Sequence, residues 1–157
     1  MMKVLLVDDE QIIRESIANL IQWDELGLEL IGSCANAFEA LDVMTDEMPD
    51  ILVTDIKMPV MDGLQLMEKS KAMYAQLYSI VLSGYAEFTL AQDAIRQGAM
   101  NYLLKPCSKE TLEEALTVAR DHVHKYREGV RIESEERRRI ASELVHELLQ
   151  LKGLGQD

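Results

Sequence analysis

The chain has 157 residues, enough for one domain with a proper core plus an appendage. Lys and Arg number 16 against 28 Asp and Glu, a formal charge of −12, which argues against nucleic-acid contact by this chain because phosphate binding needs a positive surface. Cys34 and Cys107 show no CxxC or CxH spacing and read as reduced thiols, and with no apolar run near the ~18 residues of a membrane span and no visible signal peptide the expected location is cytoplasmic.

Taken in chain order, the pattern alternates. Lys3–Val7 is a short apolar strand, and Glu10–Gln22 has helical spacing through Ile13, Ile17, Leu20 and Ile21. Leu28–Cys34 reads as a second strand, followed by a helix over Ala37–Glu47 with Ala40, Leu41 and Met44 on one side. Ile51–Thr54 is a third strand, and Leu64–Met73 a helix through Leu64, Met67 and Met73. Tyr78–Leu82 is a fourth strand, and Phe88–Gln97 a helix through Leu90, Ala91, Ala94 and Ile95. Asn101–Leu104 is a fifth strand, and Ser108 caps a long last helix. Short apolar strands separated by helices imply a parallel sheet covered on both faces.

In such a sheet, ligands bind beyond the carboxyl ends of the strands. Asp8 and Asp9 follow the first strand, with Glu10 next to them; Asp55 follows the third, Ser83 the fourth and Lys105 the fifth. Carboxylates this close repel, and a strand end makes the repulsion worse, so the site needs a compensating cation or unusual access to water. A carboxylate nucleophile that takes a phosphoryl group faces the same difficulty. Mg²⁺ answers it by screening charge with hard oxygen ligands, and a fixed lysine adds a second positive charge. Each residue also has an ordinary reading: the acids as helix caps and loop residues, Ser83 as a turn residue, Lys105 as a surface lysine.

The stretches VDDE, TDIKMPVMDG, LSGY and YLLKP stand in that order at strand ends. On these the chain resembles the receiver domain of two-component response regulators, over residues 1–125. The resemblance implies an α/β, (βα)5 flavodoxin-like (CheY-like) doubly wound sheet of order 2-1-3-4-5. It implies a phosphoacceptor, Asp55, served by a histidine kinase, with Ser83 and Lys105 turned to the phosphoryl group. It implies Mg²⁺ held by Asp8, Asp9, Asp55 and the backbone carbonyl of Lys57, and a signalling domain rather than an enzyme. Pro106 fits a cis bond that aims Lys105 inward, and Pro59 and Gly63 turn the chain away from Asp55. Tyr102 falls where the family carries an aromatic reporter of phosphorylation; an aromatic in a strand is also ordinary core. A pseudo-receiver acting only as a binding module is the rival reading, and the full set of acids argues against it.

Beyond residue 125 the composition stays helical. Apolar residues recur at Leu116, Ala119, Val123, Tyr126 and Val130, then at Ile140, Leu144, Leu148 and Leu151, with Glu133 and Arg137 interrupting the phase. Gly129 is expected to weaken the helix, and Glu133–Arg137, Glu135–Arg139 and Arg139–Glu143 are expected i,i+4 pairs. Arg137–Arg139 read as a solvated face, and His122, His124 and His146 as surface residues. Trp23 and the LVHELL helix resemble response regulators whose output is an AraC-type DNA-binding domain. That resemblance implies a helical linker or dimerisation segment over 126–157, and control of transcription through an output domain absent from this chain. A weak homodimer, through this helix or the receiver face, is expected.

Overall fold

The computed structural model describes residues 1–84, 88–96, 98–99 and 101–154; side chains at 88, 90, 91 and 151–154 are outside the description. Tyr85, Gln97 and the side chains of Leu90, Ala91 and Leu151, all named above, therefore lie outside the described residues.

The elements run β1 (Met2–Val7), α1 (Gln11–Leu20), a single 3-10 turn (Asp24–Leu26), β2 (Leu28–Cys34), α2 (Ala37–Asp46), β3 (Ile51–Asp55), α3 (Gly63–Met73), β4 (Tyr78–Ser83), α4 (Phe88–Arg96), β5 (Asn101–Leu104) and α5 (Lys109–Leu154). The strands form one parallel sheet in the order β2-β1-β3-β4-β5. This is the expected doubly wound topology.

The central strands β3 and β4 are buried along their whole length, and β1 from Val4 onward. That explains their continuous apolar runs: both faces are covered, so no polar alternation is tolerated. On one face Leu5, Val7 and Leu52 pack with Ala37, Ala40 and Met44 of α2 and Leu66 of α3. A second cluster joins Ile56, Leu64, Met67, Val81, Ala94 and Ala99, with Tyr102 half-buried against it. Leu112, Ala115, Leu116 and Ala119 of α5 are also buried, at the spacing of one helical face. Each large side chain so buried contributes about 1.5–3 kcal/mol.

Local chemistry sets the element boundaries. Asn36 caps α2 by accepting from the Glu39 N–H. Asp62 and Gln65 form a reciprocal capping box at the start of α3. Ser108 Oγ accepts the Thr111 N–H at 3.1 Å, so the expected cap of α5 is present. The first helix is shorter than expected: Ile21 is already extended, and the Asp24–Leu26 turn follows. Leu20, Met73 and Ile95, expected on apolar faces, are 54%, 48% and 48% exposed. Periodicity assigned them correctly to helices, but each sits at the edge of its helix's covered stripe.

By internal packing the chain divides into two units, Met1–Asp121 and His122–Asp157. The first contains the sheet. The second is helical to Leu154, with Gly129 inside the helix rather than ending it. Glu133–Arg137 and Arg139–Glu143 pair as expected, at 3.6 and 2.6 Å. Glu135–Arg139 does not: Glu135 takes Arg131, and Arg139 takes Glu136. His122, His124 and His146 are exposed. Among the described residues no helix is long and apolar enough to cross a membrane.

Candidate functional site at the carboxyl ends of the strands

Asp8 lies one residue beyond β1 and is fully buried. Its polar atoms are all engaged. The N–H donates to the Cys34 carbonyl at 3.0 Å, and the carbonyl accepts from the Arg14 guanidinium at 2.7 Å. Oδ1 accepts the Glu10 N–H at 2.9 Å, and Oδ2 accepts the Lys105 ammonium at 2.7 Å. Asp55, the last residue of β3, is 4% exposed, and its Oδ2 is 3.1 Å from the same Lys105 Nζ. Asp9 and Glu10 are exposed beside them. Ligand oxygens of Asp8, Asp9, Glu10 and Asp55 all lie within 4.8 Å of one another.

The cation that four crowded acids demand is thus partly supplied by the chain itself. Burial pushes the Lys105 ammonium toward its neutral form. Its hydrogen bond to Asp8 and the charges of Asp55 and Asp8 outweigh that, so its pKa lies above the ordinary lysine value. The Lys105 N–H donates to the Ser83 carbonyl at 2.7 Å, and the Lys105–Pro106 bond is cis.

Ser83 ends β4, fully buried, and its hydroxyl has no hydrogen-bond partner among the described residues. Strand register brings it close to the acids, since its neighbour Leu82 is opposite Asp55 and Ser83 itself is opposite Leu104. Buried polar groups are rarely left unpaired, so an orphan donor here marks a place for an acceptor. Lys57 is exposed and, with Asp9, Glu10, Asp55 and Lys105, borders a cavity of about 910 Å³. Tyr102 of β5 is opposite Val81 of β4 and packs against the second cluster.

The loop after β3 is built differently from expectation. Gly63 is needed for space rather than for a left-handed turn: a Cβ there would collide with the Asp55 carbonyl oxygen and approach Ile56 Cα to 2.9 Å. The left-handed residue is Val60, with φ 69°. Sequence reasoning also left Glu10 out of the site after noting it beside Asp8 and Asp9, although its place in the VDDE run was the available signal. Arg14 carried no signal, because only the fold brings its guanidinium to a backbone carbonyl six residues earlier.

A doubly wound sheet with acids, a hydroxyl and a lysine at consecutive strand ends defines a phosphoacceptor signalling domain rather than an enzyme. The chain belongs to the response regulator receiver domain family, whose sequence profile matches residues 4–117. It is 44% identical over 130 residues to the uncharacterized transcriptional regulatory protein YesN of Bacillus subtilis, covering 80% of this chain and 35% of that protein. It is 36% identical over 116 residues to the transcriptional regulatory protein BtsR of Salmonella typhi, covering 74% and 47%. The chain therefore spans less than half the length of these relatives. Among solved structures, the receiver domain of AraT, a response regulator from Geobacillus stearothermophilus, superposes with a TM-score of 0.76 at 37% identity, covering 80% of this chain and 98% of that one. The two component transcriptional regulator AraC from Clostridium phytofermentans superposes equally well, at 0.76 and 28% identity, over 81% and 98%.

Proposed function

We propose that this chain is the phosphoryl-accepting receiver of a two-component system, that Asp55 is the acceptor and that a histidine kinase is the donor. The observation that carries the reading is Lys105, whose ammonium spans Asp8 and Asp55 at 2.7 and 3.1 Å, together with a buried Ser83 hydroxyl that has no partner among the described residues. In the transfer, an Asp55 carboxylate oxygen forms a bond to phosphorus. The bond from phosphorus to the donor's histidine nitrogen breaks, and its electron pair stays on the imidazole. A carboxylate nucleophile has no proton to lose, so no general base is required. Lys105 neutralises charge on the new phosphoryl oxygens, and the Ser83 hydroxyl donates to one of them. The four carboxylates fit a hard cation, and Asp8, Asp9, Asp55 and the Lys57 carbonyl would hold Mg²⁺. When bound, Mg²⁺ supplies charge neutralisation for the incoming phosphoryl group.

The response follows from the same residues. Ser83 turning to the phosphoryl group leaves room on its face of β4, and Tyr102, half-buried two strand positions from it, moves toward that room. The receiver occupies 1–125 and a helical linker 126–157, and the chain works in the cytoplasm. Control of transcription passes through a DNA-binding output of AraC type, in keeping with relatives described as transcriptional regulators. The test is intact-mass measurement after incubation with a small phosphodonor and Mg²⁺. One phosphoryl group is expected on the unaltered chain and none on Asp55→Asn; equal gain on both defeats the assignment.

A further inference from the structure

The helix of the second unit has an unpartnered apolar stripe. Val130, Ile140, Leu144, Val145 and Leu148 are 43–65% exposed. They fall on one side when the helix is divided into heptads, with Val130, Arg137 and Leu144 at d and Ser134, Ala141 and Leu148 at a. This phase differs from the one carried down from Leu116, which would bury Glu133 and Glu147 as well as Arg137. It leaves Arg137 as the one charge in the seam between Val130 and Leu148. That guanidinium is held at 3.6 Å by Glu133 of its own helix, between the small side chains of Ser134 and Ala141.

The positions flanking the seam then select a partner. Residues at g face residues at e of a parallel second copy, five positions later in sequence. Glu133 meets Arg138, and Ile140 meets Val145: one opposite-charge pair and one apolar pair, in consecutive heptads. Arg138 is what distinguishes this stretch. Arg131, Arg137 and Arg139 each form ion pairs within the helix, whereas Arg138 forms none among the described residues. The pairs joining Arg139 to Glu136 and Glu143 lie outside the seam and would be undisturbed. An antiparallel pairing of the same stripe that sets Glu133 against the second copy's Glu147 also sets Arg138 against the second copy's Arg138, two like-charge contacts. Ile132 and Leu149 stay outside either arrangement.

We infer that the 130–148 segment forms a parallel two-stranded coiled coil with a second copy of this chain, its register set by Glu133 and the second copy's Arg138. Arg137 in the seam and the small residues beside it keep the pairing weak, so association is concentration-dependent.

Sedimentation of the full chain across a concentration series tests this with four variants. Leu144→Asn with Leu148→Asn should remain monomeric. Glu133→Arg and Arg138→Glu should each raise the dimer dissociation constant roughly tenfold, through loss of two symmetric pairs. The double exchange should restore it, a recovery that loss of helix alone would not produce. Ser134→Cys, at a seam position that faces itself only in the parallel arrangement, should cross-link on oxidation where the unaltered chain does not. A chain monomeric throughout, a dimer that survives the two asparagines, charge variants without recovery in the double exchange, or a dimer that fails to cross-link at 134 would each overturn the proposal.

Discussion

At Asp8 the N–H, the carbonyl and both carboxylate oxygens each have a partner, and one of those partners, Lys105, is shared with Asp55. A lysine held between two buried carboxylates offsets repulsion that would otherwise open the site. Lys105→Ala should therefore destabilise the metal-free chain by about 3 kcal/mol, because it leaves two buried acids facing one another. The same loss should strengthen the response to Mg²⁺, since cation and ammonium neutralise the same oxygens. Melting curves with and without Mg²⁺ decide: the expected result is a larger Mg²⁺-dependent rise in Tm for the variant than for the unaltered chain. An equal or smaller rise would show that Lys105 and the metal do not act on the same carboxylates. Lys105, Asp8 and Asp55 were legible as site residues because each follows or ends an apolar strand. Their mutual geometry was not, because no local pattern places residue 105 against residue 8.

At the level of elements, the segment from β3 to α3 shows how the acceptor is held. Asp55 closes a fully buried strand, and the chain returns so tightly that the Gly63 N–H donates to the Ile56 carbonyl at 2.6 Å. A methyl group at Gly63 would fall on the Asp55 carbonyl oxygen. Gly63→Ala should thus cost about 2–4 kcal/mol and slow phosphorylation, with the urea midpoint as the readout. An unchanged midpoint would mean that the loop yields freely and does not position Asp55. The sequence pattern identified the elements for a physical reason. β2 and β5 match expectation to the residue, since strands with short polar boundaries leave little choice of register. Helix faces were read less well: Leu20, Met73 and Ile95 fit a 3.6-residue period, yet about half of each side chain stays exposed. Periodicity reports which residues share a face, and only tertiary packing decides how wide the covered part is. Val60 in a left-handed conformation was equally invisible, because a β-branched residue is a poor candidate for that backbone region.

For the molecule as a whole, two features stand apart in how they can be read. The receiver unit is over-determined: fold order, acids, hydroxyl and lysine all agree, and the family profile covers 4–117. The helical tail is specified only by its stripe and flanking charges, which acquire meaning once a second helix is supplied. Its apolar residues were legible as a seam. The phase inferred above was not, since it departs from the one carried down from Leu116. The account's central claim is that Asp55 becomes the acyl phosphate. Borohydride trapping addresses it directly, because it reduces an aspartyl phosphate to homoserine at the modified position. After phosphodonor and Mg²⁺ treatment, peptide mass mapping should find homoserine in place of Asp55, with Asp8 and Asp9 intact. Homoserine at position 8 or 9, or reduction nowhere in a chain that has gained a phosphoryl group, would contradict it.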